Sequence, residues 1–387
     1  MNTNPQNTSS SKLAILAPYP FSPPRSGGHR AVFAYVKYLA QAWPGTFCIT
    51  TAGNESLPGV NGVELFDDKK RKYVDPRVGW RVRRFLQTNN IQFLVLQHHY
   101  FGLLLWPFLW GLPVRVLVIS HNLEYQRWRS LGKWWWPLMW LSERFVYRWA
   151  AAVAFISVQE QAAAPHLFGL DPKKCLAIPY PVDQQESPHP TVSMAKRQAV
   201  VQRHGWKMED KLLLFFGPQN YGPNLEAVIA IVTKINPLLR QRAHFTYHIL
   251  ICGGGLPATY QDFSNRQSEG IHYLGFVPDI ETYVAACDLV LNPIQSGGGV
   301  KTKLVEAVAY GKTVISYATG ALGVSAAVYG EKLVQVPDGD VAAFAEAIIQ
   351  VLPRGNHPTP ASFFDTHYGP HAVSAVVDWL RSEAYLS

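Results

Sequence analysis

Short, uninterrupted apolar runs alternate with segments of helical periodicity, and this constrains the chain more than any other feature. In the first half the runs are Leu13–Ala17, Phe47–Thr50, Phe93–Leu96, Val114–Ile119, Val153–Ile156 and Leu176–Ile178; in the second they are Leu212–Phe216, His248–Cys252, Leu289–Leu291 and Thr313–Ser316. Val32, Phe33, Val36, Leu39 and Ala40 recur at helical spacing between Gly28 and Trp43, as do Leu225, Val228, Ile229, Val232 and Ile235. A strand that is apolar on both faces must be covered on both, which a parallel sheet flanked by helices achieves. The expected class is therefore α/β. The 387 residues exceed what one core usually organises, so two domains are expected.

The composition changes after Asp183, where QQESPHPTVS carries two prolines among polar residues. This reads as the connection between domains. The expected division is a flexible tail over 1–11, an N-terminal domain over 12–183, a linker over 184–194, a C-terminal domain over 195–370, and a terminal segment over 371–387. That last segment contains the amphipathic stretch Ala372–Leu386, after the turn-prone Tyr368-Gly369-Pro370.

Cys48, Cys175, Cys252 and Cys287 form no Cys-x-x-Cys pair and sit in apolar runs, so neither a zinc site nor a redox motif is expected, and a reducing compartment is. Met1–Ser11 lacks the basic start and apolar core of a secretion signal. The most apolar stretch, Phe101–Val114, is 14 residues long and is interrupted by Pro107, Gly111 and Pro113. A spanning helix needs about 20 apolar residues, so none is expected. Lys and Arg exceed Asp and Glu by 35 to 27, a net charge of +8 that suits anionic partners without choosing among them.

Open α/β sheets bind ligands at the carboxyl ends of their strands. Three such ends carry unusual loops. In PYPFSPPRSGGH, Gly27 and Gly28 stand at a helix start, where backbone N–H groups favour an anion; the loop also reads simply as a turn. In GPQNYGPN, Asn220 is a candidate donor-binding residue and Asn224 reads as the N-cap of the next helix. The third, Ile294-Gln295-Ser296-Gly297-Gly298-Gly299-Val300-Lys301-Thr302-Lys303, precedes the helix LVEAVAYG. Its glycines permit close backbone approach, and Lys301, Lys303 and the helix dipole favour phosphate. Glu306 then either accepts hydrogen bonds from ribose hydroxyls or pairs with Lys303 on a solvated helix face. Gly253-Gly254-Gly255 is neither a dinucleotide fingerprint nor a Walker A loop.

Together these segments resemble the retaining glycosyltransferases of family 4, also called group 1, which have the GT-B fold. NPIQSGGGVKTKLVEAVAYGKTVISYATGALGV is similar to that family's donor signature, FFGPQNYGPNLEAV to the Tyr-x-Pro-Asn variant of a bacterial branch, and HYLGFVPDIETYVAACDLVLNP to the segment before the signature. APYPFSPPRSGGHRAVFAYVKYL, LVISHNLEYQRW, FISVQEQAAAPHLFG and IPYPVD match N-domain elements, so the resemblance covers roughly residues 12 to 385.

The resemblance implies two Rossmann-like domains facing across a cleft. It assigns ribose binding to Glu306, diphosphate and acceptor contacts to Gly27, Gly28 and Asn122, and backbone contacts with the base to Phe276 and Val277. It sets His121 against the transferred sugar as the catalytic candidate; the alternative for a lone histidine is a packed, hydrogen-bonded one. His98 and His99 also end a strand, with a weaker claim. The family's first signature glutamate falls at Gly298, leaving its role to Gln295, Ser296 or backbone, and the Arg and Lys that grip the diphosphate are missing from GPQNYGPN. Lys301 and Lys303 are the candidate replacements, beside the amides of Gly297, Gly298 and Gly299. No cofactor and no metal are expected, the nucleotide-sugar being a co-substrate.

Tyr125–Trp149 holds six Trp and five Lys or Arg in 25 residues. It reads either as an interface with anionic lipid or as core on the acceptor side; no nucleic-acid module accompanies it, and no nucleic-acid partner is expected. The expected partners are a nucleotide-sugar donor, a glycan or lipid-linked acceptor and an anionic membrane surface, and the expected location is cytoplasmic, peripheral at the inner face of the cytoplasmic membrane. The activity expected is sugar transfer to a hydroxyl in cell-surface glycan or polysaccharide synthesis. A sugar-nucleotide epimerase on the same fold and a catalytically silent subunit that binds nucleotide-sugar or lipid stay open at this level.

Overall fold

The computed structural model describes residues 12–355 and 357–386; the tail expected over 1–11 lies outside them. The chain forms two compact units, one of residues up to Pro181 and from Gly369 onward, the other Val182–Tyr368.

The first unit is built on seven strands: β1 (Lys12–Leu16), β2 (Phe47–Thr50), β3 (Asn61–Glu64), β4 (Ile91–Gln97), β5 (Arg115–Ser120), β6 (Ala152–Phe155) and β7 (Cys175–Ala177). They pair in the order β3-β2-β1-β4-β5-β6-β7, every pairing parallel. Six helices cover them: α1 (Gly27–Ala42), α2 (Pro76–Thr88), α3 (Gly102–Leu109), α4 (Glu124–Ser130), α5 (Trp136–Trp149) and α6 (Val158–Phe168). The β1, β4 and β5 residues Leu16, Leu96 and Val118 are fully buried, as apolar runs on central parallel strands require. The terminal helix Ser374–Leu386 also packs here: Trp379 meets the Phe93 ring edge-on at 6.1 Å. Gly369 makes the return possible, because a Cβ there would stand 2.0 Å from the Tyr38 ring of α1.

The second unit has six strands: β8 (Lys211–Phe216), β9 (Tyr247–Cys252), β10 (Ile271–Gly275), β11 (Leu289–Asn292), β12 (Thr313–Tyr317) and β13 (Leu333–Val336). Their order is β10-β9-β8-β11-β12-β13, again parallel throughout. The two Rossmann-like sheets agree with the expected class. In each, the chain winds outward from the first strand and then crosses to its other side. The switch points lie between β1 and β4 and between β8 and β11, where doubly wound sheets hold ligands.

Some expectations need correction. The segment expected as linker ends in structure: α7 (Pro190–His204) starts at Pro190, whose fixed φ and absent N–H suit a first helical position. Asn224 is not an N-cap. In α8 (Gly222–Ala230) the cap is Tyr221, and Asn224 lies inside the first turn. The stretch Ala372–Leu386 divides into Gly369–Ala372 and Ser374–Leu386. Edge strands β3, β10 and β13 carry alternating or polar sequences, such as Asn61-Gly62-Val63-Glu64, because one side of an edge needs no apolar cover.

Candidate active site

In the first unit the site is assembled at the carboxyl ends of β1, β4 and β5. His98 directly follows β4 and His121 directly follows β5. Both are buried, and their rings stack with centroids 4.1 Å apart. The Gln97 carbonyl oxygen can only accept, so the 2.7 Å contact from His121 Nε2 fixes the proton on that nitrogen. His121 Nδ1 is then the acceptor of a neutral ring. Burial holds His121 well below the usual imidazole pKa and His98 at about 3, so neither carries charge near neutrality. Gln97 Nε2 is buried with no hydrogen-bond partner among the described residues.

Tyr19, in the loop after β1, shares a 2.9 Å hydrogen bond with His98 Nε2 and stacks on His29 in the first turn of α1. Gly27 and Gly28 open that helix behind the Ser26 cap. A Cβ at Gly28 would meet Tyr19 Oη at an ordinary 3.6 Å. Glycine is therefore not sterically required there. Asn122 is tied back: its Nδ2 donates to Glu124 Oε1 at 3.1 Å. Glu124 also pairs with Arg127 at 3.0 Å. Beneath them, the fully buried Glu143 accepts from the N–H groups of Glu124 and Tyr125 at 2.7 and 3.0 Å and from Tyr147 Oη at 3.2 Å. This carboxyl group on α5, which burial pushes up to about 8, thus caps α4 and holds the segment after His121.

In the second unit the glycine loop follows β11 and leads into the helix Thr302–Ala309. Gly297 and Gly299 have φ of +86° and +69°. A Cβ at Gly297 would lie 2.9 Å from Tyr221 Oη and 3.3 Å from Pro223. Its glycine therefore serves contact with α8 and its cap as well as any ligand. Lys301 Nζ donates to the carbonyls of Gly298 and Gly299, both at 3.0 Å, and so braces the loop from within. Lys303 Nζ donates to Asn224 Oδ1 at 2.8 Å and sits 4.3 Å from the centre of the Phe215 ring. Burial, then Lys301, pushes Lys303 down to about 7, with Glu306 opposing. Glu306 lies half-buried on the second turn of the same helix.

Neighbouring strand ends complete this surface. Asn220 packs on Gly255 after β9. Phe276, 73% exposed, and the half-buried Val277 follow β10. The loop after β8 is braced by Gln219, whose Nε2 donates to Gly217 O at 2.7 Å and whose Oε1 accepts from Tyr273 Oη at 3.2 Å.

Sequence reasoning passed over Tyr19, Gln97, Glu143 and Glu226. Gln97 had a signal: a polar residue ending an otherwise apolar strand at its carboxyl end. Glu226 on α8 accepts a 2.6 Å hydrogen bond from Ser296 Oγ. It brings a carboxylate to the glycine loop that carries Gly298. The spacing Asp338-Gly339-Asp340 is used locally: Asp338 accepts from Thr319 N and Oγ1 at 3.0 and 2.6 Å, and Asp340 caps the helix Val341–Val351 through Ala343 N at 2.9 Å.

Residues 25–186 match the family model described as Glycosyltransferase Family 4, and residues 210–354 match the one described as Glycosyl transferases group 1. No curated protein matches in sequence. Among solved structures, sucrose-phosphate synthase from Thermosynechococcus elongatus is similar at 15% identity and a TM-score of 0.70, over 97% of this chain and 98% of that one. Anabaena HepE, solved in complex with UDP and glucose, is similar at 14% identity and a TM-score of 0.66, over 98% and 100%. WaaG, a glycosyltransferase involved in lipopolysaccharide biosynthesis, is similar at 14% identity and a TM-score of 0.62, over 96% and 98%. At these identities the likeness speaks for the fold.

Proposed function

The chain is a glycosyltransferase, its two units matching the family 4 and group 1 models, and from that premise we propose that it moves a sugar from a nucleotide-sugar to a hydroxyl with retention of anomeric configuration. The observation that carries this reading is the amine of Lys303, held by Asn224 over Phe215 at the switch point of the second sheet. There it faces the chemistry of a diphosphate: the triple-glycine amides, the start of the helix Thr302–Ala309 and Lys301 all supply positive potential.

In this reading Glu306 binds the ribose hydroxyls, and Phe276 and Val277 meet the base. Asn220 lines the donor loop, and Gly27, Gly28 and Asn122 lie on the phosphate and acceptor side. His121 serves the transfer step as a neutral imidazole whose Nδ1 accepts from a sugar hydroxyl. Protein cations take the place of a metal, so turnover persists in EDTA. The acceptor is a glycan or lipid-linked compound presented at the inner face of the cytoplasmic membrane, in cell-surface glycan or polysaccharide synthesis.

Because HepE was solved with UDP and glucose, UDP-glucose is the first donor to try, followed by other nucleoside diphosphate sugars. Release of the nucleoside diphosphate, with the sugar found on water or an added acceptor, supports the reading, and NMR of the product gives the anomeric outcome. Recovery of an isomerised donor without acceptor would instead identify an epimerase, and donor binding without turnover a silent subunit. Loss of turnover in EDTA, restored by magnesium or manganese, overturns the metal-free part.

A further inference from the structure

The first unit turns an apolar face outward, and no element among the described residues covers it. On α3 and its C-cap the exposed residues are Leu103, Trp106 and Trp110; on α5 they are Leu138, Leu141 and Phe145. Each set follows the i, i+3, i+7 pattern of one helical stripe. Such stripes ordinarily point inward, yet here Leu105 and Leu109 of α3 and Val146 and Tyr147 of α5 already fill the core side. Trp106 and Phe145 meet edge-on at 5.2 Å, which joins the two stripes into one surface. On α2, Trp80 extends it through an edge contact with Phe108 at 6.4 Å. Before α5, Trp134 stands 83% exposed. Of the two sequence readings of this segment, core packing holds for Trp136, Trp140 and Trp149, which are partly buried against the core, and not for Trp134.

The charge around this face is mainly cationic. Residues 76–149 contain ten Lys and Arg and two acids, Glu124 and Glu143. Both acids are buried; Arg77, Arg115 and Arg127 pair with Asp75, Glu383 and Glu124, and the other seven cations leave a positive excess. Arg81 and Arg84 on α2, Lys133 before α5 and Arg148 at its end are all exposed, and Arg148 continues the α5 stripe. A recess of about 570 Å³ adjoins the face, walled in part by Trp106, Trp110 and Trp149 with Arg115 and Lys174 beside them. Its aromatic rings suit an acyl chain and Lys174 its phosphate, Arg115 being paired with Glu383. No helix among the described residues is long and apolar enough to cross a membrane.

We propose that the α2–α3–α5 face docks the protein on an anionic lipid bilayer, its Trp, Leu and Phe side chains entering the interface and its Arg and Lys side chains meeting the headgroup phosphates. This deepens the reading of a membrane-held acceptor, on which it rests for purpose but not for the lipid contact itself. Large apolar patches rimmed by polar groups mark interaction sites, and an excess of positive charge favours an anionic surface over a second copy of this same cationic face.

The test is co-sedimentation of the full chain with vesicles of phosphatidylcholine alone or mixed with phosphatidylglycerol. Binding is expected only with the anionic lipid and should fall as salt rises. Replacing Arg81, Lys133 and Arg148 together by Gln should weaken binding on the order of a hundredfold. Replacing Leu138 and Leu141 by Ser should weaken it while donor affinity, read by calorimetry, and the thermal midpoint stay unchanged, since both residues project from the surface. No binding at low salt, binding that survives both variants, or a dimer dissolved by the Leu variant without any lipid binding each overturns the proposal. A chain that binds vesicles but no nucleotide-sugar would sink the proposed function and leave the docking face standing.

Discussion

The rings of His98 and His121 stack at 4.1 Å and 23° from parallel, at the ends of two adjacent strands. His98 holds its side of this pair in the left-handed region, at φ +74°, a conformation that L side chains rarely adopt. Tyr19 on its Nε2 and the stacked Tyr100 help to hold it there. Backbone strain kept in place by surrounding contacts is typical of functional sites. His98 thereby positions the ring of His121.

For His121→Ala we expect turnover to fall about a hundredfold or more with donor affinity little changed, the form taken by an interaction made in the transition state. His98→Ala should lower kcat less and leave KM for the donor near normal. Steady-state kinetics with calorimetric donor binding decides this; near-normal turnover in His121→Ala would return that residue to a packing role.

Because burial keeps both rings neutral, kcat should show no histidine limb between about pH 5.5 and 8. Stability carries the opposite signature. The unfolded chain binds these protons near the ordinary value of 6.5, whereas folded His98 binds its proton only near 3. Stability is therefore full above about 6.5 and is lost as pH falls toward 3. Thermal midpoints measured from pH 7.5 to 4.5 should decline, and a flat profile would contradict the buried neutral pair.

Lys303 has the complementary behaviour. With its pKa lowered to about 7, the free site is partly uncharged above neutrality, and a diphosphate must draw a proton onto it. Donor affinity should weaken as pH rises above 7, by up to about tenfold per unit. Calorimetry at pH 8 in two buffers of different ionisation enthalpy should register proton uptake. Lys303→Met should abolish that uptake and impair nucleoside diphosphate binding more than nucleoside binding; equal loss for both would point to another contact.

Glu306→Ala should weaken the donor by about 1–3 kcal/mol, the scale of a lost hydrogen bond to a charged group. Unchanged affinity in a folded variant would end the ribose assignment and favour a helix pair with Lys303.

Glu143→Gln tests the buried cap of α4. Burial raises the Glu143 carboxyl to about 8; above that pH it offers two acceptor oxygens to three donors, and an amide offers one. The variant should lose about 1–3 kcal/mol in chemical denaturation. It should also disturb Glu124 and the segment that follows His121. A fully stable variant would show that solvent can replace the carboxylate.

The sequence by itself determined the architecture to a large degree. The runs of β1, β4, β5, β8, β9, β11 and β12 are apolar on both faces, and a continuous apolar strand has few solutions other than a parallel sheet between helices. The same logic points to strand ends for chemistry, and so to His121, Gly297–Gly299 and Lys303. The edge strands β3, β10 and β13 escaped because a half-covered strand needs no such pattern. Tertiary structure alone decided which partner each polar group meets. Lys301 and Lys303 are two residues apart, yet helix geometry turns one onto the carbonyls of its own loop and the other onto Asn224. Glu143 lies 22 residues after His121 in the chain but caps the helix that follows it. In Tyr125–Trp149 composition could not separate core from surface. That depended on which side of α5 found an already filled core, and a filled core leaves the next apolar stripe facing out.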